Sequence, residues 1–425
     1  MNQSQSLKVL QSYKLSLVLF IAWASYLVAL NKFGLWAYVG VPHMEPLFAD
    51  FHAIISAVEC HSRGINVFES NPCDVQGRKH VYGSLWLKLG ALGVGAPHLF
   101  FIGLAINLAF MGLAVCLLKP TSRGEFAKCC LILFSSAATL GVERGNNDLV
   151  VFILLTLSAM FFSLKDKVAH IFSLFLIYLS SLLKIYPSVV FAAVLLIARR
   201  NLKNFIFMAG CAAALTGLWL ATNLSEILIL KNIVPAPLDH YATGARAFLV
   251  YIGRPYPWVL TIPKAWLLAA FVSVIALASI TLAFRLKTIT VQQDRSKLNY
   301  VLFIFGLTIL FSTYAINSNY DYRWIFFILL MPQLFEIQKG ATNNPLASRL
   351  VTLSFVFAAI VMWTEVFRST RLFGVFHINY FFNIGRSTFS IELFQQFLKE
   401  LAAWALFSVL FALAIKTFPK KWSAA

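Results

Sequence analysis

Apolar runs long enough to cross a bilayer recur along the whole chain, and no other feature restricts its fold as strongly. A backbone in hydrocarbon must satisfy its own hydrogen bonds, so only helices and closed barrels can span. The runs are continuous rather than alternating, which argues for helices and against a barrel. Only 12% of the 425 residues are charged and 60% are hydrophobic, whereas a soluble globular chain has about 25% charged residues. The expectation is an all-α, polytopic integral membrane protein.

Residues 15–31, 98–118, 126–140, 149–164, 168–183, 187–198, 204–221, 258–284, 298–316, 324–337, 350–367 and 391–415 give about twelve candidate transmembrane helices. Several are shorter than the roughly 20 residues of a straight span. Short neighbouring spans suggest tilted or broken helices around a cavity. The polar start of the chain with Lys8 and Lys14 is followed by no small-residue cleavage site, so 15–31 reads as an uncleaved first span. With no internal repeat, the chain reads as a single membrane domain over 1–425.

The net charge of +18 is spread singly and in small clusters between apolar runs. That pattern fits membrane topology and anionic lipid headgroups rather than a nucleic-acid partner. With the N-terminus inside, the inner loops collect cations from Lys119 and Arg123 to Lys420 and Lys421, against only Glu125, Asp166, Asp294 and Glu336. This asymmetry predicts that both termini are cytoplasmic, and the expected location is a bacterial inner (plasma) membrane. The outer segments are then the loop 32–97, the turn 143–148, and the loops 223–257 and 368–390.

The longest polar interval, 48–86, carries Asp50, Glu59, Glu69, Asp74, Cys60 and Cys73. Cys60 and Cys73 are disulfide candidates if this loop is extracytoplasmic; two free thiols are the other reading. Cys116, Cys129, Cys130 and Cys211 lie in apolar segments and read as core residues. No cysteine spacing fits a metal site, and no metal or other cofactor is expected.

The spacing after Asp50 predicts an amphipathic helix along the membrane surface, with Asp50 in its first turn. An ionised carboxylate there can accept a proton from a hydroxyl nucleophile; an N-cap is the alternative role. The cluster Glu143, Arg144, Gly145, Asn146, Asn147 and Asp148 either caps two helices or binds a sugar or phosphate. Lys184, a lone cation before Ile185–Tyr186–Pro187, either snorkels to the interface or clamps a phosphate that gains charge as a bond breaks. Arg323, in a polar turn after Asn317, suits bidentate phosphate contact. His240, Arg246, Arg254, Arg368, Arg371, His377 and Arg386 add unranked outer polar groups. No Walker loop, dinucleotide fingerprint, HExxH or GxSxG motif is present.

In order along the chain stand Asp50–Phe51, Gly64–Ile65–Asn66, Tyr82 to Trp86, Arg144 to Asp148, Lys184–Ile185–Tyr186–Pro187 and Tyr322–Arg323. In this order the chain resembles the GT-C superfamily of polytopic glycosyltransferases, in particular glycosyltransferase family 87, over most of 48–335. It departs where the family usually has Tyr-Pro and this chain has Tyr82–Gly83. The resemblance implies a GT-C-like fold, with Asp50 as the catalytic aspartate of the first outer loop. It also implies inverting sugar transfer from a polyprenyl-phosphate-linked donor, without nucleotide. The donor phosphate and sugar would then meet Lys184, Arg144, Asn147, Glu143, Tyr186 and Arg323, and a glycan or lipid of the cell envelope would accept the sugar. Two other classes compete. A lipid or solute transporter predicts functional acids buried in spans. A non-catalytic envelope assembly protein predicts no pocket at Asp50.

Overall fold

The computed structural model describes residues 3–199, 202–234, 242–244, 247, 253, 258, 261–287, 296–316, 319–341, 343–368, 382–384, 387–389 and 391–417. In chain order the helices are α1 (Gln3–Phe33), α2 (Ala49–Ser62), α3 (Leu99–Leu118), α4 (Arg123–Leu133), α5 (Ser136–Glu143), α6 (Asn147–Ser163), α7 (Lys167–Leu183), α8 (Val190–Ala198), α9 (Leu202–Ile233), α10 (Lys264–Arg285), α11 (Ser296–Ile316), α12 (Met331–Gly340), α13 (Pro345–Arg368) and α14 (Ile391–Thr417). Short 3₁₀ stretches include Ser84–Leu92, Tyr186–Val189 and Asp321–Leu329. Two antiparallel ladders complete the described residues: β1 (Ala242–Thr243) with β2 (Asn319–Tyr320), and β3 (Phe382–Ile384) with β4 (Ser387–Phe389). The chain is an all-α, multi-pass membrane protein.

Among the described residues, seven helices are long and apolar enough to cross a membrane, and eight if one bent pair counts as a single span. The expected span 126–140 is that pair, α4 and α5, bent by 55°. Ser135 sits at the break: its hydroxyl donates to Ile132 O at 2.7 Å and accepts from the Ala138 N–H at 3.3 Å, so it caps the new helix. The segments expected at 149–164, 168–183 and 187–198 form α6, α7 and a 3₁₀ turn leading into α8. Helices α6 and α7 have 17 residues each, about 26 Å at 1.5 Å per residue, less than a straight crossing needs. The expected span 324–337 falls on a 3₁₀ stretch followed by α12, which has Pro332 in its first turn.

The chain divides into two compact units. The first comprises Met1–His43, Val115–Leu140 and Ala236–Ala425; the second comprises Met44–Ala114 and Gly141–Pro235. In the first unit, α13 and α10 pack on α14. Phe271 lies with its ring centroid 5.0 Å from that of Tyr314 and 5.3 Å from that of Trp404, the offset arrangement aromatic rings favour. Exposed apolar side chains such as Leu277 and Phe284 on α10 suit a lipid-facing surface.

The second unit is built around α2. Phe51, Ile54 and Ile55 are buried with Trp86 and Leu183 in one cluster, and the Trp86 ring meets Phe51 edge-on at 6.0 Å. The expected helix is present, yet it is enclosed rather than laid on a surface. Ser56 and Val58 are buried on its other sides as well, because later segments of the unit pack over it.

Candidate active site

The N-terminus of α2 starts at a strained residue. Phe48 holds the cap position in the left-handed region, φ 58°, at a typical cost of about 1–3 kcal/mol for a residue with a side chain. Its ring is wedged between two glycines. A Cβ on Gly103 would stand 2.4 Å from Phe48 Cδ2, and one on Gly145 would stand 2.8 Å from Phe48 Cβ. Gly145 is itself left-handed, φ 54°, a conformation glycine adopts without penalty. The turn 143–148 can therefore close against the start of α2.

That turn takes the helix-end donors for which a side-chain cap is the usual solution. The backbone N–H groups of Asp50 and Phe51 donate to Arg144 O at 3.0 and 3.4 Å. Asp50 thus sits inside the first turn and is not the cap, which leaves its carboxylate for other contacts. Asn146 Nδ2 donates to Asp50 Oδ2 at 2.5 Å. The same Asn146 caps α6 by accepting the Asp148 N–H at 2.9 Å. On the other side, Arg78 Nη1 lies 3.5 Å from Asp50 Oδ1.

The remaining charges of the turn pair with near neighbours. Arg144 Nε lies 2.8 Å from Glu143 Oε2, and Glu143 Oε1 accepts the Met44 N–H at 2.9 Å. Asn147 Nδ2 donates to Leu183 O at 3.3 Å. Asp148 receives the Lys184 ammonium and the Tyr186 hydroxyl, the latter at 2.8 Å. The ammonium also lies over the rings of Tyr82 and Tyr186, 5.4 and 5.6 Å from their centroids. Lys184, expected as a phosphate clamp, is therefore held in an ion pair with a buried carboxylate. Arg323 belongs to the first unit, where Nη1 lies 3.4 Å from Asn319 Oδ1. His240, Arg246, Arg254, Arg371, His377 and Arg386 lie outside the described residues.

The segment after α2 is clipped back onto it. Cys60 and Cys73 form a disulfide with a Cα–Cα distance of 5.8 Å. Asp74 follows, fully buried as a side chain, with its oxygens 3.0 Å from Arg78 Nε and Nη2 and 3.2 Å from His52 Nδ1. Burial pushes the Asp74 carboxyl up, but the Arg78 guanidinium and backbone N–H, with His52, hold it below the usual carboxylate range. Asn146 belongs to the turn cluster read from the sequence as a cap or binding group, whereas Arg78 and His52 are sites that the sequence reading does not name. The only available sign was the spacing of Asp74 and Arg78, which puts opposite charges four residues apart in a loop where nothing predicts a helix.

His80 is the other buried titratable group of this segment. Burial drives its imidazole down to about 4; the Gly83 carbonyl opposes this and His61 adds to it. The folded protein keeps His80 neutral, while the unfolded chain takes up a proton near pH 6.5. The folded state therefore binds fewer protons between those values, and stability falls as pH drops from 6.5 to about 4. The loss is about 3 kcal/mol at one pKa unit per 1.36 kcal/mol. Asp74 adds a further loss below its ordinary 3.8. The thermal midpoint is expected to decline between pH 6.5 and 4 in the wild type, and His80→Gln should flatten that decline. An equal slope in the variant would remove His80 as the cause.

Against known protein families, characterised proteins and solved structures, the chain shows no match.

Proposed function

We propose that this protein is an inverting GT-C-type glycosyltransferase of about twelve spans. It moves a hexose, mannose among the candidates, from a polyprenyl-phosphate-linked donor to an envelope glycan or lipid on the outer face of a bacterial inner membrane. The observation that carries the reading is the placement of Asp50. Its carboxylate stands at the start of a buried helix with 18% of its side chain exposed. One of its oxygens is held by an amide and the other lies beside a guanidinium. The same unit also holds the ion pairs Arg78–Asp74, Arg144–Glu143 and Lys184–Asp148. The disulfide supports an oxidising, extracytoplasmic side for the loop.

In this mechanism Asp50 takes the proton of the acceptor hydroxyl as its oxygen attacks the anomeric carbon. The bond from that carbon to the phosphate oxygen breaks, and the electron pair leaves on polyprenyl phosphate, stabilised by nearby cations. The test is product formation by purified protein in nanodiscs supplied with polyprenyl-phosphate-hexose and lipid acceptor. Product and free polyprenyl phosphate should appear in equal amounts. Neither appearing with any hexose donor would sink the reading.

A second reading, transport, draws on the first unit. Lys399 on α14 lies fully buried between Asp321 and Glu365, at 2.6 and 3.0 Å. The next residue, Glu400, accepts from Tyr314, Gln396 and the Gly244 N–H. Ionisable groups inside spanning helices often serve ion or substrate pathways. Movement of labelled lipid-linked sugar across proteoliposomes without product, abolished by Lys399→Met, would favour transport over transfer.

A further inference from the structure

The two oxygens of Asp50 are held differently. Oδ2 takes a 2.5 Å bond from Asn146, whereas Oδ1 has Arg78 Nη1 at 3.5 Å. A bond as short as the first leaves little play; the second distance is at the limit of hydrogen bonding. Oδ1 is therefore the less tightly held of the two oxygens.

Arg78 itself has little freedom. Its Nε and Nη2 each lie 3.0 Å from an oxygen of Asp74, and Nη2 also donates to Ala49 O at 2.7 Å. Asp74 is fixed in turn by the Arg78 backbone N–H at 2.9 Å and by His52. Its neighbour Cys73 is bonded to Cys60 on α2, the helix that carries Asp50. The guanidinium plane is thus seated on α2 by contacts that do not involve Asp50, and Nη1 is the part left to address it. The Arg78 and Asp50 side chains are 28% and 18% exposed. Arg144 and Lys184 are each 12% exposed, and their partners Glu143 and Asp148 are fully enclosed. The accessible edge of the network is the Asp50–Arg78 contact.

We infer that Arg78 is the positioning residue for Asp50: seated on Asp74, it holds Oδ1 in one orientation while Asn146 fixes Oδ2. Its meaning for catalysis rests on the proposed role of Asp50 as a base; the contact itself does not. A lysine keeps the charge but loses the planar fork that grips Asp74, so the conservative exchange is informative.

The test labels full-length protein in nanodiscs with a water-soluble carbodiimide and an amine at one fixed pH, and reads the modification of Asp50 by mass spectrometry. Arg78→Gln is expected to raise the labelling rate of Asp50 several-fold, and Asp74→Asn to raise it too by unseating Arg78. Guanidinium added to Arg78→Ala should restore protection. Unchanged labelling in a folded Arg78→Gln protein overturns the inference. Should that variant not fold, Arg78→Lys is read instead, with labelling above wild type in support and equal labelling against. The labelling needs no sugar donor, so it stands or falls separately from transfer. Where transfer is measured, Arg78→Gln should lower kcat on the order of tenfold at constant KM. A raised KM at constant kcat would make Arg78 a substrate-binding group and overturn the positioning role.

Discussion

Asp50→Asn is expected to leave the protein folded and to cut sugar transfer by about 10²–10⁴-fold, the usual contribution of a general base. The exchange keeps size and shape. It can keep an amide oxygen for Asn146 to address across 2.5 Å, and it removes the charge facing Arg78. Fold and mechanism therefore separate in one variant. Asp50 does not cap α2, since Phe48 holds that position and the helix-end N–H groups go to Arg144 O. Losing the carboxylate should thus leave the helix in place, with a thermal midpoint near that of the wild type. The measurement is turnover of polyprenyl-phosphate-hexose by both proteins in nanodiscs. An Asp50→Asn protein with undiminished turnover would end the base mechanism.

Gly83→Ala is expected to lower stability by about 4 kcal/mol, the upper end of single-residue effects. A Cβ on Gly83 would stand 1.7 Å from the Leu182 carbonyl oxygen and 2.8 Å from its carbon. Those are backbone atoms at the end of α7, with no rotamer to give way. The Gly83 N–H also donates to Leu183 O at 3.1 Å, and the next N–H, that of Ser84, to Glu226 Oε1 at 2.9 Å. The segment 82–84 is thus pinned on both sides, which sets the Tyr82 ring beneath the Lys184 ammonium. Position 83 therefore needs a residue with an N–H and no side chain. The check is the thermal midpoint and yield of folded Gly83→Ala against Ser84→Ala, which touches neither contact. A Gly83→Ala protein as stable as the wild type would mean that 82–84 does not pack on α7.

What the sequence alone determined follows from terms that add residue by residue. Transfer of apolar side chains into hydrocarbon is such a term, so the all-helical, multi-pass character was legible from the runs themselves. Helix α2 with Asp50 in its first turn was legible for the same reason, through periodicity. Tertiary structure decided what depends on pairing between distant residues. Hydropathy could not tell that Lys184 would meet Asp148, 36 residues away, or that Asn146 would reach Asp50 across 96. Nor could it tell that the surface expected along α2 would be covered, because burial depends on which segments return to pack there. The bend at Ser135 escaped as well, since a single hydroxyl redirects the chain without altering the apolar run around it. A carboxylate next to a cation has the same composition whether it is a base, a cap or half of an ion pair, and only the distances between them separate the three.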